Sequence, residues 1–432
     1  MIGVYVSLGS IMKVLLIINE CNPEWSSVPL VGYNLFNGIS RLADVTLVTH
    51  ERNKKALEDV RDKRNIEYIN ENPWISKYYL ISHKFLLRNP ANWPLRHLLS
   101  YPVYAEFNHK VDALYRKDIL KGHYDIVHAI TPMIPRYPVK IVNACKDTPF
   151  IIGPVNGGIP FPEGFKETAR KEFAHFNFLR VFSRIIPNYS NTYKKAHKIL
   201  AGSTYTLNML KKMFSLDEDR ISLFYENGIN GKFAPAIKSN KGFPIRLLFV
   251  GRLTPYKGAD MLINAVNMLD ASIKDKISLT IVGDGQEAKN LKGLTEKLGI
   301  SHIVNFTGWI DNESTVEYYQ NSDIFCFPSI REFGGAVVLE AMASGLPCIV
   351  VNNGGIGEYV TDKTGFKIEP LSVEQITLEL SKKIAALFEN QGLLNEMSKN
   401  AISRAKDFRW EIKAQKIVDI YKEVICKAEF SA

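Results

Sequence analysis

Two glutamates eight positions apart, Glu332 and Glu340, fall in the stretch REFGGAVVLEAMASG, the second inside the apolar run AVVLEAMA. A buried carboxylate without a partner is costly and tends to neutralise, so Glu340 implies a cation, water or a bound group. Arg252 and Lys257 stand five apart in GRLTPYKG, directly after an apolar run that reads as a buried strand. Gly258 then opens the next helix. Two cations beside a helix N-terminus suit a phosphate, because the orphan N–H groups and the helix dipole favour an anion there. The G-K-[ST] ending of a P-loop is absent. Two cations in a loop are also a common solvated decoration.

Two further loops bear on the same chemistry. NNGGIGE places Gly354, Gly355 and Gly357 after the run CIVV, offering backbone N–H groups to an anion. VGDGQEA has the G-x-G-x-x-A form of a dinucleotide fingerprint, but residues 297–310 contain no acid to hold a ribose. That argues against hydride transfer with a dinucleotide. Three anion-compatible loops fit a pyrophosphate. A carboxylate accepts hydrogen bonds from vicinal hydroxyls, so Glu340 suits a ribose and Glu332 the group beyond the phosphates.

These residues need elements to carry them. In the first half VLLII, VTLVTH, DIVHAI and PFIIGPV read as buried strands between polar segments of helix length, a pattern that implies a parallel sheet covered on both faces. The pattern restarts with IRLLFVG, ISLTIVG, IVNFTG, DIFCFPS and PCIVVN. The expected fold class is α/β with two doubly wound, Rossmann-like domains facing a cleft. The first spans residues 12–229, a linker 230–244, the second 245–410, and a C-terminal helix and tail 411–432. That helix shows Ile412, Ile417, Ile420 and Val424 as apolar positions and is expected to pack back on the first domain. Ligands of open sheets bind beyond the carboxyl ends of the strands, where all the loops above lie.

A length of 432 residues exceeds one hydrophobic core and favours two domains. Five scattered cysteines without C-x-x-C spacing argue against a disulfide framework or a zinc site and for a reducing cytosol. No H-x-H or H-E-x-x-H occurs, and the D-x-D of Asp217–Asp219 reads as a solvated turn. No apolar run reaches membrane-spanning length. Residues 1–11 are apolar without a basic leader and carry no assigned function. The net charge of +9 sits wholly in residues 1–230, which hold 30 Lys and Arg against 21 Asp and Glu. Residues 72–105 lack acids and mix Lys77, Lys84, Arg88 and Arg96 with Trp74, Tyr78, Tyr79, Phe85, Trp93, Tyr101 and Tyr104. Residues 173–216 also lack acids and carry Arg180, Arg184, Lys194, Lys195, Lys198, Lys211 and Lys212. Such stretches suit an anionic partner such as a membrane surface, or are core rings beneath a solvated basic face.

From LLFVGRLTPYKG through IVGDGQEAKNLKGLTEKLGISHIVNFTGWI to DIFCFPSIREFGGAVVLEAMASGLPCIVVNNGGIGEYV the second half resembles the retaining glycosyltransferases of family 4, which have the GT-B fold. The resemblance implies that Arg252 and Lys257 bind the donor pyrophosphate. It implies that Glu332, with the backbone of Phe333, Gly334, Gly335 and Ala336, binds the donor sugar and that Glu340 binds the ribose. Gly251, Gly283 and Ile310 would also line the donor site. On the acceptor side GPVNGG, with Asn156 and Gly157, is similar to cleft-facing family loops, and His128 lies near a family histidine often found two positions later, where this chain has Ile130. His128 equally fits a satisfied core histidine. A glycine-rich loop common after the first strand is replaced by NPEWSSVPLVG, with Ser26, Ser27 and Pro29.

The resemblance implies a retaining, metal-independent glycosyltransferase, without a cofactor, using a nucleoside diphosphate sugar. The acceptor is expected to be a glycan, polysaccharide or lipid-linked molecule and not nucleic acid. The expected location is cytoplasmic, peripheral on the inner face of the cell membrane. A nucleotide-sugar epimerase of the same fold and a non-catalytic nucleotide-sugar-binding protein are the alternatives.

Overall fold

A computed structural model describes residues 11–58, 64–88, 93–172, 183–235 and 244–431. Residues 1–10, Arg180 and positions 236–243 of the expected linker lie outside the described residues. The first sheet comprises β1 (Lys13–Ile17), β2 (Asp44–His50), β3 (Asn65–Ile69), β4 (Ile126–Ala129), β5 (Phe150–Val155), β6 (Lys198–Ala201) and β7 (Ile221–Leu223). Its order is β3-β2-β1-β4-β5-β6-β7 and every neighbouring pair is parallel.

The second sheet comprises β8 (Ile245–Val250), β9 (Ile277–Val282), β10 (Val304–Gly308), β11 (Ile324–Phe327), β12 (Cys348–Val351) and β13 (Gly365–Ile368). It is also parallel throughout, in the order β10-β9-β8-β11-β12-β13. The strands are covered on both faces, which is why IFCF of β11 and CIVV of β12 are buried at every position. Strand order reverses between β1 and β4 and between β8 and β11. At such switch points the following loops diverge and open a crevice. In the second sheet those loops are the expected site segments GRLTPYKG and PSIREFGG.

The chain leaves the first domain after β7 and returns alongside itself, with Ile229 bridging Arg409 and Trp410 N–H donating to the Ile229 carbonyl at 3.3 Å. Phe233 is already buried in the second domain's core, so packing begins within the stretch read as a linker. The helix Trp410–Ser431 then inserts Trp410, Ala414, Ile417, Val418, Tyr421 and Val424 among Val31, Leu35 and Phe36 of the helix Val28–Ile39. Gly38 lets the two helices meet, since a Cβ there would press on the Ala414 methyl. The buried stripe is shifted from the expected one: Ile412 is exposed and Ile420 only half-buried.

Among the described residues no helix is long and apolar enough to cross a membrane. The two acid-free stretches differ in kind. Tyr189, Tyr193 and Phe214 of the second are core, and Lys198 lies buried on β6 with its Nζ donating to the Asp219 carbonyl at 2.5 Å. The expectation of an exposed Lys198 is therefore corrected. In the first stretch Tyr104 is core, while Trp74, Ile81 and Phe85 of the helix Pro73–Arg88 stand in solvent.

Candidate active site

After β8 the chain makes a single 3-10 turn, Pro255–Lys257, capped by Gly258 at φ +72°. The turn bends Lys257 inward, where its Nζ lies 4.9 Å from the Phe327 ring centroid and forms an ion pair with Glu332 Oε2. Two residues predicted from separate segments thus touch. Ser329 Oγ donates to the same carboxylate oxygen at 3.3 Å. Arg252, one turn earlier, is exposed and donates to the Tyr256 hydroxyl at 3.0 Å.

The loop beyond β11 is held from both sides. Gly335 at φ +56° precedes the helix Ala336–Ala343, and only a residue without a Cβ enters that left-handed region freely. The Gly355 N–H donates to the Glu332 and Phe333 carbonyls at 3.2 and 3.0 Å, tying the loop after β12 to this turn. Gly251 and Gly283 close on each other, since any Cβ on Gly283 would strike the Gly251 carbonyl. Ile310 is half-buried against the second core.

Glu340 has its partner: the hydroxyl of fully buried Tyr319 donates to Oε2 at 2.9 Å. Burial raises its pKa, opposed by the Tyr319 bond, the nearby Lys232 and a bond to Asn312. Lys232 Nζ in turn donates to Asn312 Oδ1 at 2.7 Å. The carboxylate inside AVVLEAMA is therefore a hydrogen-bonded group facing polar neighbours, not an orphan in the core.

The first domain meets this edge with amides and hydroxyls. Asn156 Nδ2 donates to the Phe333 carbonyl at 3.0 Å, and Asn156 Oδ1 accepts from Ser203 Oγ and Thr206 Oγ1, each at 2.9 Å. The Gly157 N–H donates to Thr206 Oγ1 at 3.0 Å. His128 does not join them and its acceptor-side placement is corrected. It is fully buried, with Nε2 2.7 Å from the Gly153 carbonyl and Nδ1 2.6 Å from the Tyr421 hydroxyl. A carbonyl only accepts, so Nε2 carries the proton and Nδ1 accepts from Tyr421. Burial pushes its pKa down to about 4, leaving it neutral.

Several residues at this edge escape sequence reasoning. Arg331 Nε donates to the Ile159 carbonyl at 2.7 Å, and its guanidinium carbon lies 4.9 Å from the ring centroids of both Phe161 and Phe333. Its adjacency to Glu332 was the available signal. Glu172 is buried, which raises its pKa against the opposing charges of Arg252, Arg331 and Lys257. Glu226 is raised to about 7, by burial first and by Glu332. Lys413 is lowered to about 7, chiefly by burial, and its Nζ donates to the Tyr225 carbonyl. Asp217–Asp219 borders an exposed 3-10 turn, and among the described residues no cluster of three His, Cys, Asp or Glu could hold a metal ion.

Two parallel, doubly wound sheets joined by a paired crossover define the GT-B fold, and solved structures agree over nearly the whole chain. A glycosyltransferase from Rickettsia africae superposes with a TM-score of 0.63 at 20% identity, covering 96% of this chain and 99% of that one. Anabaena HepE in complex with UDP gives 0.63 at 17% identity, covering 95% and 100%. Residues 233–404 match the family described as glycosyl transferases group 1. An uncharacterized glycosyltransferase of Methanocaldococcus jannaschii is 26% identical over 247 residues, 54% of this chain and 62% of that protein. D-inositol 3-phosphate glycosyltransferase 2 of Catenulispora acidiphila is 27% identical over 246 residues, 53% and 57% of the two chains. The chain thus spans little more than half the length of these curated relatives.

Proposed function

We propose that the protein is a retaining, metal-independent glycosyltransferase of family 4 that moves a sugar from a nucleoside diphosphate donor to a lipid-linked or polysaccharide acceptor. The observation that carries this reading is the convergence of Arg252, the Lys257–Glu332 pair and the Tyr319-held Glu340 at the switch point of the second sheet. Phosphates require cations and sugars require acceptors. Arg252 and Lys257 bind the diphosphate and stabilise the charge that develops as it leaves. A phosphate arriving at Lys257 shares that cation with Glu332, whose second oxygen is then open to a sugar hydroxyl. Glu340 takes the ribose. Gly251, Gly283 and Ile310 shape the wall behind the nucleotide, and Asn156 and Gly157 face the acceptor. The relatives described as D-inositol 3-phosphate glycosyltransferases make an anionic acceptor a natural candidate for the basic first domain.

The membrane reading narrows to one helix. On Pro73–Arg88, Trp74, Ile81 and Phe85 fall on one face at helical spacing, 81%, 61% and 50% exposed, with Lys77 and Lys84 beside them. An acid-free helix with exposed rings and lysines suits the interface of an anionic bilayer on the cytoplasmic side.

The test is turnover. The full chain is incubated with UDP-, GDP- and ADP-sugars, with and without a membrane extract, following sugar and nucleotide together. Nucleotide release with sugar entering the extract supports transfer. Donor conversion without extract indicates an epimerase, and binding without sugar release indicates a non-catalytic protein.

A further inference from the structure

The residues that fit the donor account for the second domain's side of the cleft and leave Glu226 unused. This glutamate follows β7 in the segment YENGIN, where the chain crosses between domains. Its carboxyl lies against the turn that leads into Ala336–Ala343: a Cβ on Gly334 would collide with Glu226 Oε1 and with Asn227 Nδ2. Asn156 hydrogen-bonds Glu226 and also holds the Phe333 carbonyl at 3.0 Å. Glu226 therefore packs on the same short turn as Glu332, but from the opposite domain, and remains partly open to solvent.

The charged and titratable groups around it come from three elements. Glu332 faces it from the loop after β11, Lys413 from the C-terminal helix, and Tyr359 from the short helix Gly355–Tyr359. Glu332 already has Lys257 as its counter-ion. Lys413 is buried over the Phe224 ring, 4.1 Å from its centroid, and its Nζ donates to the Tyr225 carbonyl. Among the described residues no cation forms a direct ion pair with Glu226, while a second carboxylate acts on it. Two carboxyls sharing a site favour one ionised and one protonated partner.

We propose that Glu226 is a sugar-reading residue of this site: in its protonated form it donates a hydrogen bond to a hydroxyl of the nucleotide-bound sugar, opposite Glu332, which accepts one. The inference rests on the glycosyl-transfer reading above. A site that both donates to and accepts from hydroxyls discriminates between sugars that differ in one hydroxyl's position, because a mismatch leaves a buried polar group unpaired. Ionisation of Glu226 removes its donor and sets two carboxylates against each other. The sugar's contribution to binding therefore falls as pH rises past neutrality, while that of the diphosphate does not.

Calorimetry on the full chain compares the terminal methyl esters of UDP, GDP and ADP, whose diphosphates have no proton to lose near neutrality, with UDP-glucose and UDP-N-acetylglucosamine, GDP-mannose, and ADP-glucose respectively, at about pH 6 and about pH 8. The quantity read is the affinity gained by adding the sugar. In the wild type the preferred donor's gain is expected to drop at least about threefold between the two pH values. Glu226→Ala should lose about fivefold or more of it at the lower pH, with the methyl ester's affinity unchanged. Glu226→Gln keeps an N–H donor without a charge, so it should retain the gain and hold it at the higher pH. A Glu226→Ala protein whose sugar gain equals that of the wild type overturns the inference. So does a Glu226→Gln protein whose gain falls with pH as the wild type's does, which assigns the titration to Lys413. If Glu226→Ala does not fold, the Gln comparison still decides. A wild type that binds none of these nucleotides overturns the glycosyl-transfer reading itself, whereas normal donor binding with indifferent variants removes only Glu226.

Discussion

The two domains share a sheet architecture and treat charge at the cleft in opposite ways. The second domain brings Arg252 and Lys257 to its switch point and balances Lys257 with Glu332. The first domain offers Asn156, Ser203 and Thr206, a neutral His128 set back in its core, and two carboxyls, Glu172 and Glu226, whose pKa values burial raises. Some of its cations lie on the helix Pro73–Arg88, and Arg52 and Arg136 follow the carboxyl ends of β2 and β4. A doubly wound sheet dictates where a ligand sits and leaves its charge to the loops. The second domain's edge pairs two cations with a carboxylate, and the facing edge mixes amides, hydroxyls and carboxyls.

The largest effect should come from the cationic edge. Replacing Arg252 and Lys257 together with alanine is expected to reduce transfer at least about a hundredfold, some 2.7 kcal/mol of transition-state stabilisation. A double variant with normal turnover breaks the comparison. The singles should differ in stability. Arg252→Ala leaves the melting temperature nearly unchanged, because the residue is exposed. Lys257→Ala strips a buried counter-ion from Glu332 and should cost about 1–3 kcal/mol in urea denaturation.

A tenfold effect separates the two glutamates. Glu332→Gln should lower kcat/KM about tenfold or more with nucleoside diphosphate affinity retained, and Glu340→Gln should weaken the diphosphate itself. Calorimetry giving the reverse pattern exchanges their roles.

The neutral interior of the first domain is tested by acid. His128 is held neutral with its pKa lowered to about 4 by burial, so the unfolded chain binds the extra proton first. Its contribution is complete above the ordinary histidine value near 6.5 and is lost as pH falls from there toward 4. Over that window wild-type stability should drop by about 3 kcal/mol from this residue, more steeply than in His128→Gln. Equal slopes in denaturation at several pH values would show that His128 does not titrate on unfolding.

The smallest effect concerns the outer face. Lys77→Glu with Lys84→Glu should reduce pelleting with anionic vesicles at low salt by several-fold, and Lys194→Glu with Lys195→Glu should matter less, because only the first pair stands beside exposed rings. Nucleotide affinity should be unaffected by either. Failure to pellet at low salt points instead to a soluble acceptor.

How legible all this was in the sequence depended on run length and on separation. The strands β8, β9, β11 and β12 are compact apolar runs with glycine-containing loops after them, and they stand out. The short strands β3, β6, β7 and β13 did not: KILA and ISL are too brief to show a period, and β3 alternates as NIEYI at a sheet edge. Among site residues, spacing within one segment revealed Arg252 with Lys257 and Glu332 with Glu340. That Lys257 and Glu332 touch, 75 positions apart, is a product of β8 lying beside β11. Glu226 gave no signal, since a lone acid before Asn-Gly reads as a turn until Gly334 is brought beneath it. His128 shows the converse. Its sequence neighbourhood suggested the cleft, but its partner Tyr421 lies 293 positions away.

That last contact bears on how the chain is made. The first domain's inner layer, from Val14 to Leu47, is closed by residues 410 to 424, so a ribosome has delivered the whole second domain before the first can finish its core. Domains whose contacts are local fold as they emerge, whereas distant pairings must wait. The second domain is expected to mature early and independently on the nascent chain. The first would remain an open sheet, with Val31, Leu35 and Phe36 uncovered, until the final helix arrives. Chains truncated before Trp410 and released from the ribosome should therefore be cut by protease within the first sheet, at residues such as Val31, Leu35 and Phe36, while residues 245–408 resist.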